Sequence, residues 1–283
     1  MTNPRGFPLR VLMVSPDGFD VKYSINPHMT DADGKLKKID HARARVQWGA
    51  VGRTYERLGY EVEVLPADPS FPDMVFCANQ TFPYKDPGGT KCVLMSRMFA
   101  QERKGEVGRF REWFTEQGYK VFDLESKGDL EGAGDLLWDH EGARVFAGHG
   151  YRTSSEILDE VERLIQAPLI RLELRDPRYY HLDTCLTVLT SKRAAFVREA
   201  FTGEGVAAIH AAFDDAFEID AVEAETLLAG NGHSPNGRDV ILQSGCLKTA
   251  AAFRERGFQV HECDTSEFIK SGGSVFCMKQ MIF

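Results

Sequence analysis

A short theme recurs along this chain: residues apolar at helical spacing, a glycine-type stop, then a brief run rich in β-forming residues. Trp48, Val51, Tyr55 and Leu58 lead into Gly59-Tyr-Glu-Val-Glu-Val-Leu65. Val107, Phe110 and Phe114 lead into Gly118-Tyr-Lys-Val-Phe-Asp-Leu124. Ile157, Val161, Leu164 and Ile165 precede Pro168-Leu-Ile-Arg-Leu-Glu-Leu174, and Leu247, Ala250, Ala251 and Phe253 precede Gly257-Phe-Gln-Val-His-Glu262. A weaker copy runs from Gly205 to His210 and then from Ala216 to Asp220. Each copy reads as helix, stop, strand. Five such units a few tens of residues apart predict a radial or stacked array within one domain spanning 1–283, in preference to a single doubly wound sheet.

Composition narrows the function without naming it. The 283 residues carry 34 Lys+Arg against 42 Asp+Glu, a net charge of −8 without long blocks of one sign. That balance speaks against a nucleic-acid surface and favours a small cationic partner. Met1 to Val14 lacks the basic-then-apolar pattern of a secretory leader, and no apolar run approaches the roughly 20 residues that span a bilayer. A cytoplasmic protein without a membrane partner is expected. The six cysteines form no CxxC pair and read as thiols. Oligomeric state is not legible, and a homo-oligomer is compatible with everything above.

Polar clusters follow the predicted strands. They are residues 71–79, ending in Cys77-Ala-Asn79; Glu131-Gly-Ala-Gly-Asp135; Tyr179-Tyr-His-Leu-Asp-Thr-Cys185; and the terminal Lys270-Ser-Gly-Gly-Ser-Val-Phe-Cys-Met278. The fourth unit offers only Glu223, Glu225, Asn231 and His233, without comparable punctuation. In a radial array equivalent loops face one axis, so Asn79, Glu131, His181 and Cys277 are expected to converge. Cys277, after two glycines and on a predicted strand, is a candidate nucleophile, its alternative being a buried core cysteine. Asp183 is expected on the same strand face as His181. Alternation of His181, Asp183 and Cys185 also suits a zinc site, but no second ligand pair follows, so neither metal nor cofactor is expected. Asp73 after Pro72 reads equally as a turn former. Asp31 to Lys38 reads as a surface loop or lid.

Taken together, these motifs resemble the pentein superfamily of guanidine-modifying enzymes, which includes arginine deiminases, dimethylarginine dimethylaminohydrolases and amidinotransferases. The resemblance runs nearly end to end, from Ser15-Pro16 and Ile25-Asn26-Pro27 to the cysteine loop, and the motifs keep the family's order. It implies an α/β fold, the five-bladed α/β propeller, and attack on a guanidinium carbon. Cys277 would be the nucleophile, passing through a covalent thiouronium. His181 would be the proton donor and then the base, and Glu131 would orient it or share the guanidinium. Asp183 would grip guanidinium N–H groups. Arg97 and Arg152 would meet an α-carboxylate, Asn26 the α-amino end, and Asp135 either the substrate or its own loop.

Asn79 divides the possible reactions. Deiminases and dimethylarginine hydrolases usually carry a carboxylate near this position. The arginine dihydrolases, which this chain resembles most, carry asparagine and remove both terminal nitrogens of arginine. An amide both donates and accepts, so it can keep a ureido group seated where a carboxylate would repel its oxygen. The expectation is arginine to ornithine, ammonia and carbon dioxide. The alternatives are citrulline from arginine or dimethylarginine, amidino transfer to an amine, and a non-catalytic pentein binding protein. Gln80-Thr-Phe82 and Val275-Phe276, which depart from the relatives' residues, are expected to border the pocket.

Overall fold

The computed structural model describes residues 6–141 and 143–283, so the first five residues of the Met1–Val14 stretch lie outside it. In chain order the elements are β1 (Arg10–Val14), α1 (His41–Arg57), β2 (Glu61–Leu65), β3 (Thr81–Lys85), β4 (Lys91–Met95), α2 (Glu106–Glu116) and β5 (Lys120–Phe122). There follow α3 (Gly132–Asp135), β6 (Leu136–Trp138), β7 (Val145–His149), α4 (Leu158–Ile165), β8 (Leu169–Glu173), β9 (Leu186–Val188), β10 (Arg193–Phe196), α5 (Gly203–Ala212) and β11 (Asp215–Glu218). The chain continues through α6 (Ala221–Leu227), β12 (Asp239–Gln243), α7 (Leu247–Glu255), β13 (Gln259–Cys263), α8 (Ser266–Ile269) and β14 (Gln280–Ile282).

Among the described residues the strands form five small sheets, one for each predicted unit. The rule is the same in each. A helix carries the chain from the middle strand to a parallel partner, as from β4 over α2 to β5 or from β7 over α4 to β8. The middle strand's other edge takes an antiparallel strand: β3, β6 and β9 in three sheets. In the sheet of β12 and β13 a single antiparallel bridge, His233 to Ile241, takes that place. In the sheet of β1 and β2 it is β14, from the far end of the chain.

Local chemistry explains the elements. The Asp40 side chain accepts from the Arg43 N–H and caps α1, whose Ala44, Val51 and Tyr55 form one buried stripe. Gly59, at φ +88°, stops that helix in the left-handed region. The third unit ends differently, with Gln166 itself left-handed ahead of Pro168. Each helix covers its own sheet. Leu158, Val161 and Ile165 of α4, none measurably exposed, pack with Leu136, Val145 and Ala147, at roughly 1.5–3 kcal/mol per buried large side chain. Phe110 and Phe114 of α2 do the same over Val93 and Met95.

Candidate active site

The polar loops sit at one equivalent place, immediately before the antiparallel strand of each sheet. Asn79 precedes β3, Glu131 to Asp135 precede β6, His181 to Asp183 precede β9, and Cys277 precedes β14. Asn231 precedes the His233 bridge and supplies the fourth unit's member of the set.

Hydrogen bonds link these loops in a closed ring. The Ala133 N–H donates to the Ala78 carbonyl, and the Ala78 N–H to the Cys277 carbonyl. The Leu182 N–H donates to Asp135 Oδ1. Asn231 Nδ2 donates to the Asp183 carbonyl, and Asn231 Oδ1 accepts from the N–H groups of Ser274, Phe276 and Cys277. Each loop therefore fixes the next. Small residues allow the approach. A Cβ on Gly134 would lie 2.3 Å from Asn79 Nδ2, and one on Gly273 2.3 Å from the Phe76 ring.

Cys277 lies in a turn before β14, not on a strand. Its Sγ donates to Asp183 Oδ2 at 3.1 Å and accepts from Asn231 Nδ2 at 3.2 Å. Burial, with the Asp183 charge adding to it, holds the thiol well above its ordinary range. Burial also raises Asp183, to about 7, against the Cys277 hydrogen bond and the charge of Lys279. The other Asp183 oxygen is buried with no hydrogen-bond partner among the described residues. His181 and Asp183 do not share a strand face, because a 3₁₀ turn, Leu182–Thr184, separates them. The turn points His181 towards Glu131, at 2.6 Å from Nε2 to Oε2, and Asp183 towards the thiol. Cys185 points its sulfur at the carbonyls of His181 and Leu182 instead.

Burial opposes the Glu131 charge, yet the His181 hydrogen bond and charge, with Arg152, hold the carboxyl down at about 2. Arg152, itself buried, donates to the Ile25 carbonyl and lies over the Tyr180 ring. Asn26 caps the turn at His28 and donates to the Ser271 carbonyl, tying the first loop to the cysteine loop.

Asn26, Asp73, Asn79, Arg103, Arg152, Tyr180, His181 and Cys277 line a narrow hollow of about 10 Å³. Three predicted substrate contacts, Arg97, Asp135 and Asp183, do not line it. Asp183 lies behind Cys277 and touches its sulfur. Arg97 directs its guanidinium at the carbonyls of Leu124, Ser126 and Gly128 and so holds a loop. Asp135 accepts from Thr153 Oγ1 and from the Leu182 N–H, so both oxygens are used inside the protein, one of them bracing the His181 turn. Gln80 and Phe276 likewise turn away. Gln80 donates to Glu106, while the Phe276 ring faces His233 and Lys279.

Arg103 is a site residue that sequence reasoning missed, and Asn231, named among the fourth unit's polar residues, was given no place in the site. Arg103 Nη1 donates to Asn79 Oδ1 at 2.9 Å, and its charge is balanced by Glu106. This leaves Asn79 Nδ2 a buried donor with no acceptor among the described residues. Nothing in Gln101-Glu-Arg103 marks the arginine as buried. Asn231 had one available signal, its place ahead of the fourth unit's middle strand.

Comparison with known proteins agrees with the geometry. Residues 16–283 match the family described as N,N dimethylarginine dimethylhydrolase, eukaryotic. The N(G),N(G)-dimethylarginine dimethylaminohydrolase of Mycobacterium tuberculosis is 34% identical over 95% of this chain and 84% of its own length. The bifunctional arginine dihydrolase/ornithine cyclodeaminase ArgZ of Synechocystis is 33% identical over 95% of this chain, which spans only 37% of that protein. A solved N-terminal domain of ArgZ, an arginine dihydrolase bound to its substrate, superposes with a TM-score of 0.89 over 96% of this chain and 97% of that one, at 30% identity. With this thiol, imidazole and carboxylate gathered by five loops, and with relatives that hydrolyse guanidino C–N bonds, the chain belongs to the dimethylarginine dimethylaminohydrolase family within the pentein superfamily.

Proposed function

We propose that this hydrolase of guanidino C–N bonds converts arginine to ornithine, two ammonia and carbon dioxide, consuming two waters. In this reading the five sheets stand radially as the blades of an α/β propeller in a single domain, with the ringed loops at one end of its axis. The observation that carries the reading is the Asn79 amide. Arg103 occupies its oxygen, so its unpaired Nδ2 can donate to the oxygen of a ureido intermediate. A carboxylate there would repel that oxygen.

The chemistry follows from the residues. A guanidinium seated against Cys277 brings its positive charge beside Sγ and favours the thiolate, and the buried, unpaired Asp183 oxygen behind the sulfur is the acceptor its N–H groups reach once the site opens. The thiolate attacks the guanidinium carbon. His181 protonates the departing nitrogen, ammonia leaves, and a thiouronium remains on Cys277. His181 then removes a proton from water, which attacks that carbon and expels the thiolate, leaving the ureido compound. A second attack releases the second ammonia, and hydrolysis of the resulting thiocarbamate gives a carbamate that loses carbon dioxide. Glu131 balances the charge His181 carries through both rounds. Arg152 is the cation for an α-carboxylate, and Asn26 and Asp73 offer acceptors to an α-amino group. A hollow of about 10 Å³ does not hold arginine, so the loops that line it must open on entry.

A second reading, dimethylarginine to dimethylamine and citrulline, is supported by the family match and by the Mycobacterium relative. Asn79→Asp separates the two. Under the dihydrolase reading the variant accumulates citrulline from arginine; an unchanged ornithine yield removes the role given to Asn79.

A further inference from the structure

A second cavity, of about 140 Å³, shares no lining residue with the catalytic hollow. Its walls are apolar and largely aromatic, with Phe7, Phe82, Trp138, Phe276, Met281 and Phe283 among them. Lys279 also lines it, two residues beyond Cys277 and 2% exposed. The Lys279 ammonium makes no hydrogen bond to any described residue, and Nζ lies 3.2 Å from the centre of the Phe276 ring. An ammonium taken almost wholly out of water with no hydrogen-bonded anion is costly, and a ring face together with the Asp183 charge compensates only part of the lost hydration.

The other charged or titratable lining groups do not supply the missing anion. Asp139 is paired with Arg144 and accepts from the Ala143 N–H. His233 is bonded to the Tyr55 hydroxyl, and Lys85 adds a second positive charge over the Phe283 ring. His140, whose Nε2 is 3.4 Å from the Val188 carbonyl, completes the set. Ser234 donates to the Leu189 carbonyl.

We infer that this cavity is a binding site for a small apolar monocarboxylate, an aryl or short alkyl acid whose carboxylate pairs with Lys279 while its body fills the aromatic cage. The volume agrees, since a dry cavity of roughly 150 Å³ accommodates a benzene-sized body. Burial also drives the Lys279 ammonium down to about 7, against the Asp183 charge that favours it, and a bound carboxylate would restore that charge. The inference does not depend on the substrate assigned to the catalytic hollow.

Benzoate and benzyl alcohol, titrated calorimetrically into the wild type and into Lys279→Met, test it. Methionine keeps the side chain's length and removes its charge. The expected result is benzoate binding to the wild type at least about tenfold more tightly than benzyl alcohol, a preference that Lys279→Met abolishes while still binding the alcohol. Absence of benzoate binding to the wild type overturns the inference. So does equal affinity for the two compounds, or benzoate binding that is unaltered in Lys279→Met. The wild-type comparison of acid with alcohol stands even if the variant does not fold.

Discussion

Two hollows flank the terminal segment of the chain, and they are built on opposite principles. The one proposed to be catalytic, about 10 Å³, is lined largely by charged and amide groups held by neighbouring loops. The other, about 140 Å³, is an aromatic cage into which Lys279 brings an ammonium that has no hydrogen-bonded anion among the described residues. Residues 276 to 279 serve both: Cys277 faces the first, and Phe276 and Lys279 face the second. The contrast shows that free volume is a poor guide to chemistry. In the proposed mechanism reactivity sits where polar groups are fixed before substrate arrives, and such fixing leaves little empty space.

The sharpest way to break the comparison is to disturb the fixed side. Glu131→Gln removes the charge beside His181, and kcat should fall about 10²- to 10⁴-fold with the fold retained. Steady-state rates with circular dichroism would check this; a change of less than about tenfold would reduce Glu131 to a brace.

Asn231→Ala should come next. It removes the Nδ2 donor at Sγ and the acceptor for three N–H groups. The pH profile of Cys277 alkylation should move to higher pH, and kcat should fall about 10- to 100-fold, each lost hydrogen bond counting for about 1–3 kcal/mol. An unmoved profile would leave Asn231 a purely structural clamp.

Stability against pH separates the two sides in sign. Asp183 is raised from an ordinary 3.8 to about 7 by burial. Between those values the folded chain keeps a proton that the unfolded chain has lost, so this contribution is full below pH 4 and fades as pH rises to 7. Asp183→Asn should therefore gain on the wild type across that window, by about 2–4 kcal/mol in urea titrations. Lys279, lowered from 10.5 to about 7, acts in the other window. Between about 7 and 10.5 the unfolded chain keeps a proton that the folded chain has released, so stability rises with pH there. Lys279→Met should be the more stable protein at pH 6, by about 1–3 kcal/mol, with an advantage that shrinks towards pH 10. Parallel pH curves for either variant and the wild type would refute the corresponding assignment.

Periodicity made the scaffold legible in the sequence. Gly59, Gly118 and Gly257 stop helices at the predicted places because a left-handed residue is needed there. The order of the Asn79, Glu131, His181 and Cys277 motifs located the loops that meet. What stayed hidden depends on direction and burial, which spacing does not encode. The 3₁₀ turn at Leu182–Thr184 separates His181 from Asp183, although alternation suggested one face. Arg97 and Arg152 look alike in sequence, yet three carbonyls hold the first while the second lines the hollow. Arg103 and Lys279 are both buried, and a lone basic residue in sequence reads as solvated.

Double nitrogen removal from arginine by Cys277 can be followed by mass spectrometry with arginine labelled with nitrogen-15 at both terminal guanidino nitrogens, with Cys277→Ala alongside. The expected result is unlabelled ornithine with two labelled ammonia per turnover in the wild type and neither in the variant. Citrulline as the final product, with one ammonia, or ornithine formed equally by Cys277→Ala, would contradict it.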